Sequence, residues 1–318
     1  MLKRLNKMLK GGPYLSEVPD LVSTIPGTDT LDVSPATRKK YVEIIERFRE
    51  YFRAAGHKTG DVSIYDIGRA DYAQFHDWLA TRGTKVVTVN GYRRRARAVW
   101  NRLSDRGYNV CDITGITKML PLPVQNSKAL SDEHLQRVLQ LASVRDTAMI
   151  LYMLSAGFRR QTLPRLTVAD TTIWQRPDGK YRIASRIPQE KTSARRVVMA
   201  DHSAATAVLL WLDIREYKES PWLFYSLDTG LQLRVNSINT IFRKLRERAG
   251  LPAWANFHPH ALRHKFAQNM LDVHDSKTVA QWLGISVETL LNVYAFRSST
   301  DLAVKRFGDH FFPPDLFD

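Results

Sequence analysis

The stretch His258-Pro259-His260-Ala261-Leu262-Arg263-His264 opens a helix expected to run from about Pro259 to Leu271. His260 and Arg263 stand three apart and fall on one helix face, so an imidazole and a guanidinium can address the same anion. Taken alone the pair is not specific, because His and Arg three apart are common on solvated helices. Three histidines also invite a zinc reading. Asp272 and Asp275 are not at ligand spacing, however, and Pro259 interrupts the regularity between the first two histidines, so no metal site is expected.

What surrounds this stretch is strongly basic. The 318 residues hold 47 Lys and Arg against 32 Asp and Glu, a formal charge of +15. That excess favours a polyanionic partner, nucleic acid ahead of an anionic membrane surface. The charge is uneven: residues 1–32 are neutral, 33–127 carry +8 and 128–318 carry +7. A single cysteine, Cys111, excludes a disulfide framework and a thiolate zinc finger and fits a reducing compartment. Lys3, Arg4, Lys7 and Lys10 are followed by Gly11, Gly12 and Pro13, not by the apolar run of a signal peptide, so secretion is not expected. The longest apolar stretch, Ala148 to Phe158, is too short to span about 30 Å of hydrocarbon and reads as a buried helix.

At this length two domains are expected. The middle segment has helical periodicity. Ser34 is a plausible N-cap with Pro35 behind it, and Tyr41, Ile44, Ile45, Phe48 and Phe52 follow at 3/4 spacing up to Gly56. Tyr72, Phe75, Trp78 and Leu79 mark a second helix; Val89, Tyr92, Ala96, Val99, Trp100 and Leu103 mark a third, ending near Gly107. At 100° per residue, Arg94 and Arg97 point away from the third helix's stripe while Arg93, Arg95 and Arg102 flank it, a basic outer face expected to bind DNA phosphates. Lys118 to Lys128, with Pro121 and Pro123, lacks periodicity and reads as a linker. The organisation expected is therefore an extension over 1–32, a helical DNA-binding domain over 33–117, a linker over 118–128 and a second domain over 129–318. That second domain starts with a helix at Ser131 and continues with a helix from about Arg145 to Ala156. Short β runs follow at Ile173-Trp174, Tyr181 to Ala184 and Arg196 to Met199, then further helices.

With two other segments, the opening stretch resembles the tyrosine recombinase family, also called the phage integrase family. Arg159, after Ser155-Ala156-Gly157-Phe158, stands in a turn like the family's glycine-containing one, with Leu166 and Asp170 where its first motif has a Leu and an Asp. His260-Ala261-Leu262-Arg263-His264 is similar to its H-x-L-R-H block. Leu283-Gly284 followed by Tyr294 resembles its L-G-[HW]…Y ending, and Lys191 falls where the family carries its catalytic Lys on a β-hairpin. The resemblance covers about residues 33 to 310. It implies a mainly α chain: a helical, SAM-like core-binding domain, then an α+β catalytic domain with a small antiparallel sheet.

The resemblance further implies a site-specific recombinase or integrase that cleaves and rejoins double-stranded DNA through a 3′-phosphotyrosyl link, as a homo-oligomer, a tetramer on paired sites. The enzyme would be cytoplasmic and nucleoid-associated, without membrane partners, ATP, metal or other cofactor. A phosphodiester gains charge at its equatorial oxygens in the transition state, and planar guanidiniums at Arg159 and Arg263 suit a clamp. His260 serves as general base or hydrogen-bond donor, and Lys191, ahead of Lys180, as the acid for the leaving 5′-oxygen. Tyr294 is the nucleophile. Two departures stand out. Thr162 occupies a position where the family is usually acidic, and Ile285, where it has His or Trp, cannot donate a hydrogen bond. Either a donor is supplied by Lys277, His264 or a neighbouring subunit, or the chain is a slow or silent DNA-binding member. A type IB topoisomerase-like activity is the other alternative. The tail from Asp301 to Asp318 carries Phe307, Phe311, Phe312 and Phe317, which need a surface to cover, on this chain or on a neighbour.

Overall fold

The computed structural model describes residues 12–113, 115–116, 119–121, 130–187, 196–252 and 254–293. The chain divides into two compact units, Met1–Gln125 and Asn126–Asp318. Among the described residues no helix is long and apolar enough to cross a membrane.

The first unit is helical: α1 (Val18–Ser23), α2 (Pro35–Ala54), α3 (Arg69–Thr81) and α4 (Val86–Asp105). The Ser34 hydroxyl caps α2 by accepting the Thr37 N–H, and Pro35 fills the first helical position. The 3/4-spaced aromatics meet at the centre: the Phe48 ring stacks on Phe75 at 3.8 Å and lies 5.0 Å from Trp100. Each such buried ring contributes about 2 kcal/mol through the water it sheds. Residues ahead of 33 join this core, since Leu15, Val18 and Val22 are fully buried in it. Arg102 of α4 and Arg106 just after it both reach the Asp32 carboxylate, at 2.7 and 2.6 Å, and hold that segment down.

The second unit contains α5 (Asp132–Leu141), α6 (Val144–Ala156), strands β1 (Thr171–Gln175), β2 (Tyr181–Ile187) and β3 (Arg196–Ala200), then α7 (His202–Ile214), α8 (Val235–Arg248), α9 (Pro259–Leu271), α10 (Ser276–Leu283) and α11 (Val287–Val293). The strands form an antiparallel sheet in the order β1-β2-β3, with Ile183 opposite both Ile173 and Ala200. The two-residue period sends Ile183, Ser185 and Ile187 inward, while Val197 and Met199 stay exposed. Ser185 is tolerated in the core because the Tyr152 hydroxyl of α6 donates to it at 2.7 Å. Burial pushes that Tyr152 hydroxyl far above the usual phenol range. The architecture is the mainly α one expected, with one small antiparallel sheet in the second unit.

Candidate active site

Three segments far apart in sequence meet on the second unit. In the first, α6 ends at Ala156 and Gly157 turns left-handed at φ +61°, its N–H returning to the Met153 carbonyl at 3.0 Å. Any other residue is strained there, and a Cβ would also lie 2.2 Å from the Phe266 ring of α9. Phe158 then plunges into the core against Tyr152, 5.2 Å between rings. Arg159 emerges half-buried, and its Nη2 donates to the Gly284 carbonyl at 2.9 Å.

Helix α9 supplies the second segment. His258 is its N-cap, the Nδ1 atom accepting the Ala261 N–H at 3.2 Å, and Pro259 follows as the first helical residue. Arg263 points inward and is only 2% exposed. Its Nη1 donates to the Gly157 carbonyl at 2.7 Å and its Nη2 to the Leu283 carbonyl at 2.8 Å. The third segment is the end of α10, where Gly284 caps the helix in the left-handed conformation at φ +62°. Arg263 therefore bolts both glycine turns to α9, and Arg159 ties its own turn to the second. Charged donors on carbonyls form short, strong bonds, and a carbonyl orients a guanidinium without cancelling its charge.

The histidines beside this junction are all held below the ordinary imidazole range. Burial comes first for His260, followed by the positive Arg263 and then by the competing ionisation of His258. His258 responds to burial and then to Arg246. His264, half-buried, is pulled down to about 4 by burial, then by His260, His258 and Arg263. The neutral imidazole is therefore the favoured form of all three, and that of His258 already uses its Nδ1 lone pair to accept the Ala261 N–H.

Other expected positions have local roles. Leu166 is fully buried. Asp170 accepts from the Thr167 hydroxyl at 2.7 Å, and its own carbonyl receives the Arg186 N–H, which sets the start of β1. Thr162 is 1% exposed, its N–H donating to the Arg159 carbonyl at 2.9 Å. Ile285 packs against the apolar group of Phe266, Ala267, Val279, Ala280, Leu283 and Leu290, so its side chain serves the core. Lys180 is exposed on the β1–β2 turn, its N–H bonded to the Asp178 carboxylate. Lys191, Tyr294 and the tail from Asp301 lie outside the described residues; α11 is described to Val293, one residue before Tyr294. Among the described residues no group of three or more His, Cys, Asp or Glu could hold a metal ion.

On the first unit, the five-arginine outer face expected on α4 is narrower. Arg94 is exposed. Arg95 is half-buried and bonds Glu43 at 2.9 Å. Arg93 is only 6% exposed and does not belong to the outer face. The reason is α3, which covers that flank of α4: Arg93 and Arg97 lie close enough to His76 of α3 to help burial hold it down to about 3. Arg102 is occupied on the other flank by Asp32 and by the Val22 carbonyl.

A second basic surface, which the sequence reading left without a role, lies on α8. Ile238, Phe242 and Leu245 are buried, while Arg234, Asn239, Thr240, Arg243, Lys244 and Arg248 are exposed. Arg160, next to Arg159, donates to the Asn239 side chain at 2.7 Å, linking this row to the glycine turn. Its signal was present in Phe242-Arg243-Lys244-Leu245-Arg246-Glu247-Arg248, four cations against one acid beside an apolar stripe.

Residues 126–299 match the family model described as the phage integrase family, a match that begins at the first residue of the second unit. The chain is 30% identical to the tyrosine recombinase XerC of Haemophilus ducreyi over 164 residues, 51% of each protein. It thus spans about half the length of the curated relatives it matches first. With the tyrosine recombinase XerD of Brucella suis biovar 1 it shares 25% identity over 291 residues, 83% of this chain and 90% of that one. In fold it is similar to the XerH site-specific recombinase bound to palindromic difH substrate, with a TM-score of 0.67 at 18% identity over 95% of this chain and 86% of that one. It is likewise similar to a lambda integrase dimer bound to a COC' core site, with a TM-score of 0.67 at 16% identity over 92% and 80%.

Proposed function

The chain belongs to the phage integrase family, and from that premise we propose that it is a site-specific DNA recombinase. The observation that carries the reading is the junction of Arg159 and Arg263, two guanidiniums anchored through Gly157, Leu283 and Gly284 with His260 one turn from Arg263. Two planar guanidiniums so held suit a phosphate whose equatorial oxygens gain charge as it is attacked. Recombinases bound to DNA are among its structural neighbours, which supports double-stranded DNA as the partner.

In the proposed reaction the Tyr294 oxygen attacks phosphorus as neutral His260 takes its proton, and the bond from phosphorus to the 5′-oxygen breaks. Lys191 gives that oxygen a proton, leaving a 3′-phosphotyrosyl link and a free 5′-hydroxyl. The ester bond is exchanged, not lost to water, so attack by another 5′-hydroxyl reverses the step and needs no ATP. A tetramer on paired sites exchanges two strands at a time, and DNA as substrate sets its work in the cytoplasm at the nucleoid. Arg94 and Arg97 of α4 supply phosphate contacts on the first unit.

A nicked suicide duplex carrying the DNA that flanks the gene tests this reading. The wild-type chain should form a covalent adduct that disappears in Tyr294→Phe. No adduct from the wild type, or equal trapping by the two, overturns the proposal.

A further inference from the structure

One ionisable residue of the His260 to His264 block has no part in the steps above. His264 lies one helical turn beyond His260 on α9 and is half-buried, whereas His260 reaches the surface. Their rings meet edge-to-face, with centroids 4.5 Å apart and planes at 81°, an arrangement that aromatic rings favour. The His258 ring lies nearly parallel to His260, 6.5 Å away at 16°, and is itself fixed because its Nδ1 caps the helix. An imidazole on an exposed helix face would otherwise sample several side-chain rotamers.

We propose that His264 is a positioning residue, whose ring holds the His260 imidazole in the orientation needed at the phosphodiester. The inference rests on the reading of His260 as the group that handles the tyrosine proton. Acid–base work requires the imidazole within hydrogen-bond reach of that proton, and small misplacements are costly. His264 acts as a ring and not as a charge. Held down to about 4, it is neutral at working pH and adds no positive charge to that of Arg263, which already faces His260. Arg246 of α8 is the further cation beside the group, and it acts on His258.

Two variants of the full-length chain separate ring from nitrogen. His264→Phe keeps a ring and removes both nitrogens; His264→Gln keeps hydrogen bonding and removes the ring. Imidazole NMR titrations and adduct formation on the nicked duplex are followed together. His202, whose Nδ1 accepts the Tyr181 N–H, reports whether the second unit is folded. In His264→Phe, His260 should keep one tautomer and titrate within about 0.3 of a pH unit of wild type, with cleavage within about threefold. In His264→Gln, His260 should move back toward the ordinary imidazole value and cleavage should fall by about tenfold or more. If the Gln chain loses the His202 signature, the Phe chain alone decides. Phe and Gln variants that titrate alike overturn the positioning role. So does a Phe variant that keeps the His260 titration yet loses cleavage, since His264 would then act directly. A wild-type chain that never cleaves the duplex overturns the recombinase reading, and the positioning role with it, whatever the titrations give.

Discussion

Both units carry many arginines, yet those along α4 and those at the candidate site differ in their principal partners. On the first unit Arg95, Arg102 and Arg106 bond the carboxylates Glu43 and Asp32, which cancels most of their charge and spends them on holding the unit together. On the second, Arg159 and Arg263 bond the backbone carbonyls of Gly157, Leu283 and Gly284. A carbonyl is a dipole, so these bonds orient the guanidinium without themselves neutralising it. Formal charge alone would rank the first unit as the stronger phosphate binder. The partners of each arginine put the sharper anion site on the second.

The largest effect should come from removing those oriented charges. Arg159→Ala should lower adduct formation by about 10²- to 10³-fold, as loss of a transition-state donor does, with a change in stability under about 1 kcal/mol because the side chain is half-exposed. Arg263→Ala should match that loss and also cost about 3 kcal/mol in urea unfolding, since it strands two carbonyls and leaves a hole. Equal stability losses in the two variants would break the distinction between a half-exposed clamp and a buried bolt.

Next comes the turn that aims Arg159. Gly157→Ala imposes a left-handed residue with a Cβ 2.2 Å from the Phe266 ring. About 3 kcal/mol of destabilisation is expected from strain and overpacking together, read from the urea midpoint of the second unit. A variant as stable as wild type would mean that α9 can move away from α6 without cost.

How much of this was legible beforehand follows the same division. Helix α9 was bounded from sequence at about Pro259 and Leu271, as the structure has it. The turn ahead of Arg159 was legible only through the family resemblance, and the left-handed cap at Gly284 was not foreseen. Nor was the bolting, because backbone carbonyls leave no trace in a sequence. The basic face of α4 was misjudged at Arg93 and Arg102 for a related reason: a helical wheel gives each residue's angle but not which neighbour covers that angle. Here α3 covers one flank and the segment ending at Asp32 covers the other. Residues 15–22 escaped notice because three buried positions, Leu15, Val18 and Val22, make too short a stripe. The helix from His202 to Ile214 is apolar on nearly all sides, so no stripe marks it.

Buried histidines offer a pH test with one reporter in each unit. His76 is held down to about 3, chiefly by burial and then by Arg93 and Arg97, and His264 to about 4. Both are lowered, so the unfolded chain binds the extra protons. Stability is fully present above about pH 6.5 and declines as the pH falls towards those folded values. Each group should contribute a slope of up to about 1.4 kcal/mol per pH unit between roughly pH 6 and 4. His76→Phe should flatten the slope for the first unit and leave that of the second unchanged, as followed by unfolding monitored at residues of each unit. A slope unchanged by the substitution would show that His76 takes up no proton on unfolding.

The smallest effect bears most directly on the two kinds of arginine. Arg94 is exposed, whereas Arg102 is tied to Asp32 and to the Val22 carbonyl. If carboxylate partners cancel the charge, Arg102→Ala should cost about 1 kcal/mol of stability and barely alter the dependence of DNA affinity on salt. Arg94→Ala should leave stability unchanged and lower the slope of log affinity against log salt by about one counterion. The reverse pattern would mean that Asp32 releases Arg102 when DNA arrives, and the first unit's ion pairs would then be a reserve of phosphate contacts instead of a brace.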